Sequence, residues 1–276
     1  MTRSGEHPAP SVERCYALID TLSSAWQADR DPVQVTSRVE MVFAPVVFAH
    51  VAHTVQLATA VADLHRADRG LVMMPLVRQV IECSVRAVWL EQYRENVRAV
   101  VREGYRQRRN LIDSAVRAAW LESSDDLGQD PDAALVDDDD KATSGRNFER
   151  ICSEIDGGEK QYALYRFASA LTHPGTDLVD HYLEASETVS SGILFITNPG
   201  LKSADAWLGI TAQHALVAVY AWDRVESRRP YRAGLRAWAK EFGVNRARPG
   251  MTAAGFQAWN RAETRRRRAN KTQATE

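Results

Sequence analysis

The sequence predicts an all-α protein, a bundle of about seven to ten helices that carries an acidic flexible loop. Three observations predict this fold class. Apolar residues recur at helical spacing along most of the chain. One short run, 188–200, has the character of a β-strand, and no repeat of 20–50 residues is visible. Because one strand cannot form a sheet, we expect this run to be a connection across the bundle.

Capping residues and prolines set the expected boundaries of the helices. Ser11 is a typical N-cap residue, and the helix after it is expected to end near Trp26. Pro75 is typical of a first helical turn, so another helix is expected to begin there. A longer helical region, 36–68, contains Pro45, which is expected to kink or split it. The further helices are expected at 94–121, 145–156, 159–173, 204–226 and, as shorter segments, within 231–268. Residues 177–187 are expected to form a further helix or a helical turn.

The chain is expected to form one domain with two tails and one loop. Residues 1–10 contain two prolines and a glycine, which predicts a disordered tail. Residues 11–245 are expected to form a single helical-bundle domain, and residues 246–276 a helical and basic C-terminal tail. Within the domain, 122–144 is rich in Asp but lacks the EF-hand spacing that calcium requires. It is therefore expected to be an acidic loop insertion in contact with water.

Net charge and cysteine content limit the kind of protein. The formal net charge is −1, so the chain as a whole does not favour a nucleic acid or an anionic membrane as partner. Three cysteines without a CxxC pair argue against a disulfide framework and fit a cytoplasmic location. No run of 18 apolar residues occurs, so no membrane span is expected. His50 and His53 lack further ligands, so neither a metal nor a cofactor is expected.

The predicted helix 94–121 carries a stripe of arginines. Arg94, Arg98, Arg102 and Arg106 repeat every four residues and therefore share one side of a helix. The functional interpretation is a basic surface that contacts phosphates. The structural interpretation is a solvated surface whose arginines pair with acidic side chains.

Arg78 and Glu82 form an i, i+4 pair inside an otherwise apolar helix. Two charges are costly to bury unless they satisfy each other or a third polar group. One interpretation is therefore a buried structural pair. The other is that one of the two residues faces a pocket shared with the helix that carries Arg166 and His173.

The stretch 161–183 contains the most coherent set of polar residues. Arg166, Ser169 and His173 stand at i, i+3 and i+7, so on a helix they share one stripe. Pro174-Gly175 follows at once and is expected to end that helix. A guanidinium binds phosphate through two parallel hydrogen bonds, and an imidazole transfers protons near neutral pH. Together they could act on an RNA phosphodiester without a metal.

Arg166 and His173, with six residues between them, resemble the Arg-x(4–6)-His motif of HEPN-type helical ribonucleases. Phe167 stands where that superfamily usually has Asn, Asp or His. The resemblance implies an all-α fold, dimerisation around the motif, and a role as a toxin or in anti-phage defence. It also implies that Arg166 and His173 are the catalytic pair.

The wider pattern resembles an uncharacterised bacterial helical family, a domain of unknown function. This resemblance rests on the helix from Arg78 to Glu82 with Trp89 after it. It rests also on the spacing Tyr165-x(3)-Ser169-x(3)-His173-Pro174, and it covers about residues 40–225. It implies no activity.

The first function hypothesis is a metal-independent endoribonuclease in a toxin–antitoxin or phage-defence setting. Its partners would be RNA, a second copy of the chain and an antitoxin-like protein, with no membrane. The second hypothesis is a non-catalytic binding or scaffold protein, in which the same residues form one buried polar network that fixes helix register. The residues expected to be catalytic are Arg166, His173 and Ser169, with Ser169 orienting, and those expected to bind substrate are Tyr165, Arg78 and Glu82.

Overall fold

The computed structural model describes residues 9–29, 33–35, 42–121 and 147–244. Several predicted segments lie outside these residues: most of the tail 1–10, the acidic loop 122–144 and the C-terminal tail 246–276.

Nine α-helices and two short strands make up the regular structure of the described residues. The all-α class and the predicted number of helices are therefore confirmed. Two 3₁₀-helices, Arg94–Asn96 and Asp180–Tyr182, join neighbouring elements. The α-helices are α1 Val12–Ala28, α2 Phe43–Arg66, α3 Met74–Gln92, α4 Val97–Arg117, α5 Phe148–Ser153, α6 Gly158–Ala170, α7 Thr176–Val179, α8 Ala204–Val225 and α9 Arg232–Glu241. The strands are β1 Leu183–Ala185 and β2 Ile193–Phe195.

Helix α3 lies at the centre of the bundle, as its apolar sequence predicts. It packs against α2 and α8 on one side and against α5 and α6 on another, while α1 covers α2 and α8. Trp89 and Leu90 of α3 and Leu216 of α8 are among the largest fully buried side chains. Each such side chain stabilises the fold by roughly 1.5–3 kcal/mol relative to an exposed position.

Pro45 does not kink or split α2, contrary to the expectation from the sequence. The helix is continuous from Phe43 to Arg66, and Pro45 stands in its first turn, where no intrahelical partner is needed for its missing N–H group. Among the described residues, α2 is also the one helix long and apolar enough to cross a membrane by length and composition. Its buried residues, such as Val47 and Val51, pack in the centre of the bundle with α3 and α8.

The helical turn expected within 177–187 is confirmed for its first part, whereas the expectation that the run at 188–200 could not form a sheet is wrong. The chain makes one α-helical turn and one 3₁₀ turn, and β1 then pairs with β2 as an antiparallel hairpin. Leu183 lies opposite Phe195, and Ala185 lies opposite Ile193. The turn between the strands contains Gly192 in the left-handed region at φ 70°. The sequence of β1 contains no β-branched residue, so strand propensity does not indicate it.

The predicted break between α5 and α6 is confirmed and has a steric cause. Gly157 adopts φ 73°, a left-handed conformation that favours glycine. Gly158 opens α6, and a Cβ atom at this position would lie 1.9 Å from the carbonyl oxygen of Cys152. The close approach of the two backbones therefore requires glycine at position 158.

Candidate functional site

Arg78 joins α3 to α6 through a set of contacts that we call the Arg78 bracket, formed by Arg78, Tyr165 and Ser169. Its Nε donates a hydrogen bond to Ser169 Oγ at 3.0 Å, and a terminal nitrogen donates to the Tyr165 hydroxyl. The guanidinium carbon lies 4.7 Å from the centroid of the Tyr165 ring. The Arg78 side chain is 26% exposed, so the bracket lies at the edge of the bundle rather than in its centre.

The spacing of Tyr165 and Ser169 explains why both reach the same guanidinium. Residues at i and i+4 are neighbours on one helix face. Ser169 Oγ also donates to the backbone oxygen of Tyr165 at 2.7 Å, so its lone pair is free to accept from Arg78. Both hydroxyl groups are therefore engaged on the side of α6 that faces α3.

Glu82 lies between two arginines of the same helix. Its Oε1 accepts a hydrogen bond from Arg86 at 3.0 Å, while its Oε2 lies 3.9 Å from the nearest nitrogen of Arg78. The expected Arg78–Glu82 pair therefore exists as an ion pair at long range, and Arg86 is the stronger partner. Arg86 was not among the predicted site residues, although its i+4 spacing from Glu82 could have indicated it.

A second contact joins the far end of α3 to the segment before α6. Trp89 Nε1 donates to Glu154 Oε2 at 2.7 Å, and the Tyr93 hydroxyl donates to the Glu154 backbone oxygen at 3.1 Å. Glu154 is buried, and Arg150 lies 3.9 Å from its carboxylate. Together with the Arg78 bracket, this contact shows that α3 and α6 run antiparallel and are tied near both ends.

Arg166 lies on the side of α6 that faces solvent. Its neighbour two residues on, Ala168, is fully buried, and Arg166 itself is exposed. A hydrogen bond to Tyr162 raises the pKa of the Arg166 guanidinium, so the group keeps its positive charge. Arg166 takes no part in the Arg78 bracket.

His173 lies just beyond the end of α6, which closes three residues earlier than expected, at Ala170. Its backbone N–H donates to the Ser169 oxygen at 3.1 Å, so the chain still follows a helical path there. The His173 side chain is exposed. Seven residues of helical rise place the Cα atoms of Arg166 and His173 about 10 Å apart, within reach of one phosphate group for two long side chains.

Large apolar side chains are exposed on α6 and along the chain that follows it, up to β2. Phe167, beside Arg166, is 66% exposed, and Phe195 of β2 is 75% exposed. Large exposed apolar side chains that form a contiguous patch are typical of a surface that binds a partner. The other exposed apolar residues of this region are Val179, Tyr182, Ile193 and Leu194.

Burial favours the uncharged forms of His50, Cys83 and Cys152. Burial lowers the pKa of His50, whose Nδ1 donates to the Val46 oxygen at 2.7 Å. Burial raises the pKa of Cys83 to about 11 and that of Cys152 to about 12. Both thiols are therefore unreactive near neutral pH. In the part of the chain that the structure describes, no group of three or more His, Cys, Asp or Glu side chains could hold a metal ion.

The predicted site residues thus separate into two sets. The structure brings Arg78, Tyr165 and Ser169 together, with Glu82 beside them, in a half-buried contact between α3 and α6. It places Arg166 and His173 on the solvent side of the same helix end. The first set can position the helix, and the second can bind an anion and transfer a proton.

Comparison with known proteins identifies one family. No curated protein and no solved structure matches the chain. A family model described as a family of unknown function, DUF5677, matches residues 44–189, which is more than half of the chain. This span contains the Arg78 bracket, Arg166 and His173, and it confirms the resemblance to an uncharacterised domain, whereas the resemblance to HEPN ribonucleases gains no support. The chain belongs to DUF5677, a family of unknown function.

Proposed function

We propose that this protein is a metal-independent endoribonuclease whose active site is the exposed end of α6. Arg166 would bind a phosphate, and His173 would act as the acid or base. The observation that supports the proposal is the exposure of both side chains at the end of one helix whose inner face is tied to α3. Neither residue packs in the core, so neither is required to hold the bundle together.

The Arg78 bracket would position this site. Catalysis requires groups that are held close to their productive geometry by rigid supports. Tyr165 and Ser169 are engaged on the inner face of α6, one residue before and four residues before the two exposed groups. In the proposed enzyme they therefore orient the helix end, and Arg78 and Glu82 act through them.

The chemistry would be an internal transfer at phosphorus. A base removes the proton of the RNA 2′-hydroxyl, the 2′-oxygen bonds to phosphorus, and the bond to the 5′-oxygen breaks as that oxygen takes a proton from an acid. Arg166 would stabilise the charge on the phosphate oxygens. One imidazole acts either as the base or as the acid in a given step. The second proton transfer therefore takes place with another group or with water.

A second copy of the chain would supply that group. Exposed apolar residues, among them Phe167 and Phe195, occur in the same part of the chain as the exposed charged residues Arg166, Asp177 and Asp180. In a two-fold dimer the same surface of each copy meets its counterpart. A surface that carries both positive and negative side chains can therefore form ion pairs with the same surface of the second copy. The proposed homodimer would cover the apolar patch and place two His173 side chains near one another.

The biological setting is part of the proposal. A toxin or phage-defence role and an antitoxin-like partner rest on the resemblance of Arg166 and His173 to the ribonuclease motif. The cytoplasmic location rests on the cysteine content, and the bacterial origin rests on the resemblance to the uncharacterised helical family.

RNA cleavage in EDTA tests the proposal. Purified protein is incubated with a labelled single-stranded RNA, and the wild type is compared with Arg166→Ala, His173→Ala and a control, His53→Ala, which removes an exposed histidine of α2. We expect cleavage by the wild type and by His53→Ala, and at least a hundredfold loss in the other two variants. Intact RNA with the wild type, or equal cleavage by all four proteins, overturns it.

The second candidate is a non-catalytic binding or scaffold protein. The observation that favours it is the Arg78 bracket itself, because half-buried polar contacts of this kind fix the register of two helices without any chemistry. In that case the Arg78 bracket serves stability alone, and the exposed patch at β2 serves a protein partner. The EDTA assay distinguishes the two candidates, since a scaffold leaves RNA intact.

A further inference from the structure

Helix α4 differs in charge from the other helices that the structure describes. Between Val97 and Arg117 it contains six arginines, while Glu103 and Asp113 are its acidic residues, which leaves four net positive charges. The whole chain has a formal net charge of −1. Among the described helices, α4 therefore carries the highest net positive charge, and it is about 30 Å long.

Little of α4 is buried. All of its residues are described, and Val97 alone is buried. Val100 and Val101 in its first turn pack against the core, and beyond them α4 has its main contacts with the 3₁₀-helix that precedes it. Ten of the 21 residues of α4 are exposed, Arg106 and Arg109 among them, so this part of the helix is accessible to another molecule.

Four of the six arginines of α4 share one side of the helix. Arg98, Arg102, Arg106 and Arg109 follow one another at intervals of four, four and three residues, so their Cα atoms lie about 5–6 Å apart along one stripe. Arg117 continues the stripe towards the end of α4.

The acidic residues within α4 are too few to pair with all of these arginines. Arg106 pairs with Glu103, and Arg117 donates a hydrogen bond to Ser114. Arg109 is exposed, and Arg108 lies 5.8 Å from the centroid of the Tyr105 ring. Within the described residues, the interpretation of the stripe as a solvated surface with acidic partners applies to Arg106, and Arg109 has no such ion pair there.

We propose that α4 is a docking track for the phosphate backbone of single-stranded RNA. The proposal rests on RNA being the ligand of the proposed enzyme, and it assigns to α4 a binding role separate from the chemistry at α6. Regularly spaced guanidinium groups attract a polyanion, and aromatic side chains stack on unpaired bases. Tyr105 lies on the track, and Trp120, three residues beyond its end, is 83% exposed.

The observations favour RNA over an anionic membrane. A helix that lies on a membrane needs an apolar face flanked by its cations. The exposed apolar residue of α4 is Leu111, two residues after Arg109, and so it projects from nearly the opposite side of the helix. The apolar residues Val100 and Val101 are already engaged with the core.

RNA binding by the full chain tests the proposal. His173→Ala serves as the background so that RNA is not cut, and binding of a labelled 20-nucleotide single strand is measured by fluorescence polarisation at increasing salt. The track variant is Arg106→Gln/Arg109→Gln/Arg117→Gln. The matched control removes three exposed cations elsewhere, Arg69→Gln/Lys202→Gln/Arg236→Gln.

The proposal expects salt-dependent binding that the track variant weakens roughly tenfold, with a salt slope lower by about 2, because three phosphate contacts are lost. The control should bind like the background protein. Equal affinity of the track variant and the control, or binding that does not depend on salt, overturns the proposal. Circular dichroism verifies that the variants stay helical.

Two further outcomes separate this proposal from the enzyme hypothesis. If RNA binds through the track but is never cut, the enzyme hypothesis fails and the docking track stands. If RNA is cut and the track variant cuts and binds as the wild type does, the docking track fails alone. Loss of binding to phosphatidylserine vesicles in the track variant, with RNA binding unchanged, identifies α4 as a membrane surface and overturns the proposal.

Discussion

The Nε of Arg78 donates a hydrogen bond to Ser169 Oγ at 3.0 Å, and this contact joins the central helix of the bundle to the helix that carries the candidate site. The same guanidinium contacts Tyr165 through its hydroxyl and its ring. One side chain of α3 thus holds two successive turns of α6.

The Arg78 bracket should contribute measurably to stability. Arg78→Met removes the two hydrogen bonds and is expected to lower the free energy of unfolding by about 1–2 kcal/mol, since the site is partly exposed and water replaces some of the lost contacts. Tyr165→Phe removes one of these bonds and should cost about 1 kcal/mol. Urea unfolding of the two single variants and the double variant should give a coupling energy near 1 kcal/mol.

Arg69→Met is the control for that experiment, because Arg69 is an exposed arginine outside any helix. It should change the free energy of unfolding by less than about 0.5 kcal/mol. Additive effects of Arg78→Met and Tyr165→Phe would contradict a direct contact between the two side chains.

The buried contact between Trp89 and Glu154 should be more costly to break. Trp89→Phe keeps an aromatic ring but removes the N–H group that donates to the Glu154 carboxylate. The buried oxygen then loses a donor, and we expect a loss of about 2 kcal/mol in urea unfolding. Trp120→Phe, at a side chain that is 83% exposed, should have no measurable effect. Equal losses in the two variants would show that ring volume, not the hydrogen bond, decides the result.

Two glycines should respond in opposite directions to the same substitution. Gly158→Ala places a Cβ atom 1.9 Å from the Cys152 carbonyl oxygen, so the backbone must shift, and we expect a loss of about 3 kcal/mol. At Gly104 no atom lies within 4 Å of an added Cβ, and the residue is in the interior of α4. Gly104→Ala should therefore increase helicity and stability by about 0.5–1 kcal/mol. Thermal unfolding followed by circular dichroism measures both, and a stable Gly158→Ala protein would contradict the close approach of α5 and α6.

Stability should fall in mild acid because of His214. The Ser84 hydroxyl donates to the Ile81 oxygen, so Nδ1–H of His214 donates to Ser84 Oγ at 2.5 Å, and burial lowers the pKa of His214 to about 4. Above pH 6.5 the imidazole is neutral in both the folded and unfolded states and has no effect on the pH dependence. Between pH 6.5 and about 4 the unfolded state binds the proton more tightly, so stability is lost as pH falls, by about 3 kcal/mol in total.

His214→Gln should remove this part of the acid sensitivity, because glutamine does not titrate. His53→Gln, at an exposed position, should keep it. Urea midpoints between pH 7 and pH 4 measure the effect, and parallel curves for His214→Gln and wild type would exclude His214 as the cause.

The sequence predicts where the helices lie better than it predicts the hairpin or the packing of the helices against one another. Ser11 caps α1 as expected, by accepting a hydrogen bond from the backbone of Arg14, and Pro75 lies in the first turn of α3. The hairpin could not be predicted, because residues 183–185 have no strand propensity and are held by pairing with 193–195. How much of α4 packs against the core depends on the surfaces of its neighbours, and helical periodicity contains no information about those surfaces.

The candidate site shows a similar limit. Spacing correctly places Tyr165 and Ser169 on one face, yet Ser169 and Arg166 are also i, i+3 neighbours. A residue at the edge of a helix face contacts the neighbouring helix only where that helix offers it a partner. Here Arg78 donates a hydrogen bond to Ser169, whereas the Arg166 side chain is exposed. The link between Trp89 and Glu154 spans 65 positions, a separation at which spacing carries no information.

Helix α8 lies outside the segment 44–189 that defines the family, yet it packs against both α2 and α3. Its side chains, among them Leu208 and Leu216, fill the centre of the bundle. The stretch by which relatives are recognised is therefore smaller than the unit that can fold. A fragment limited to residues 44–189 would expose to water the apolar side chains of α2 and α3 that pack against α8. A transfer of this domain to another protein therefore has to include α8.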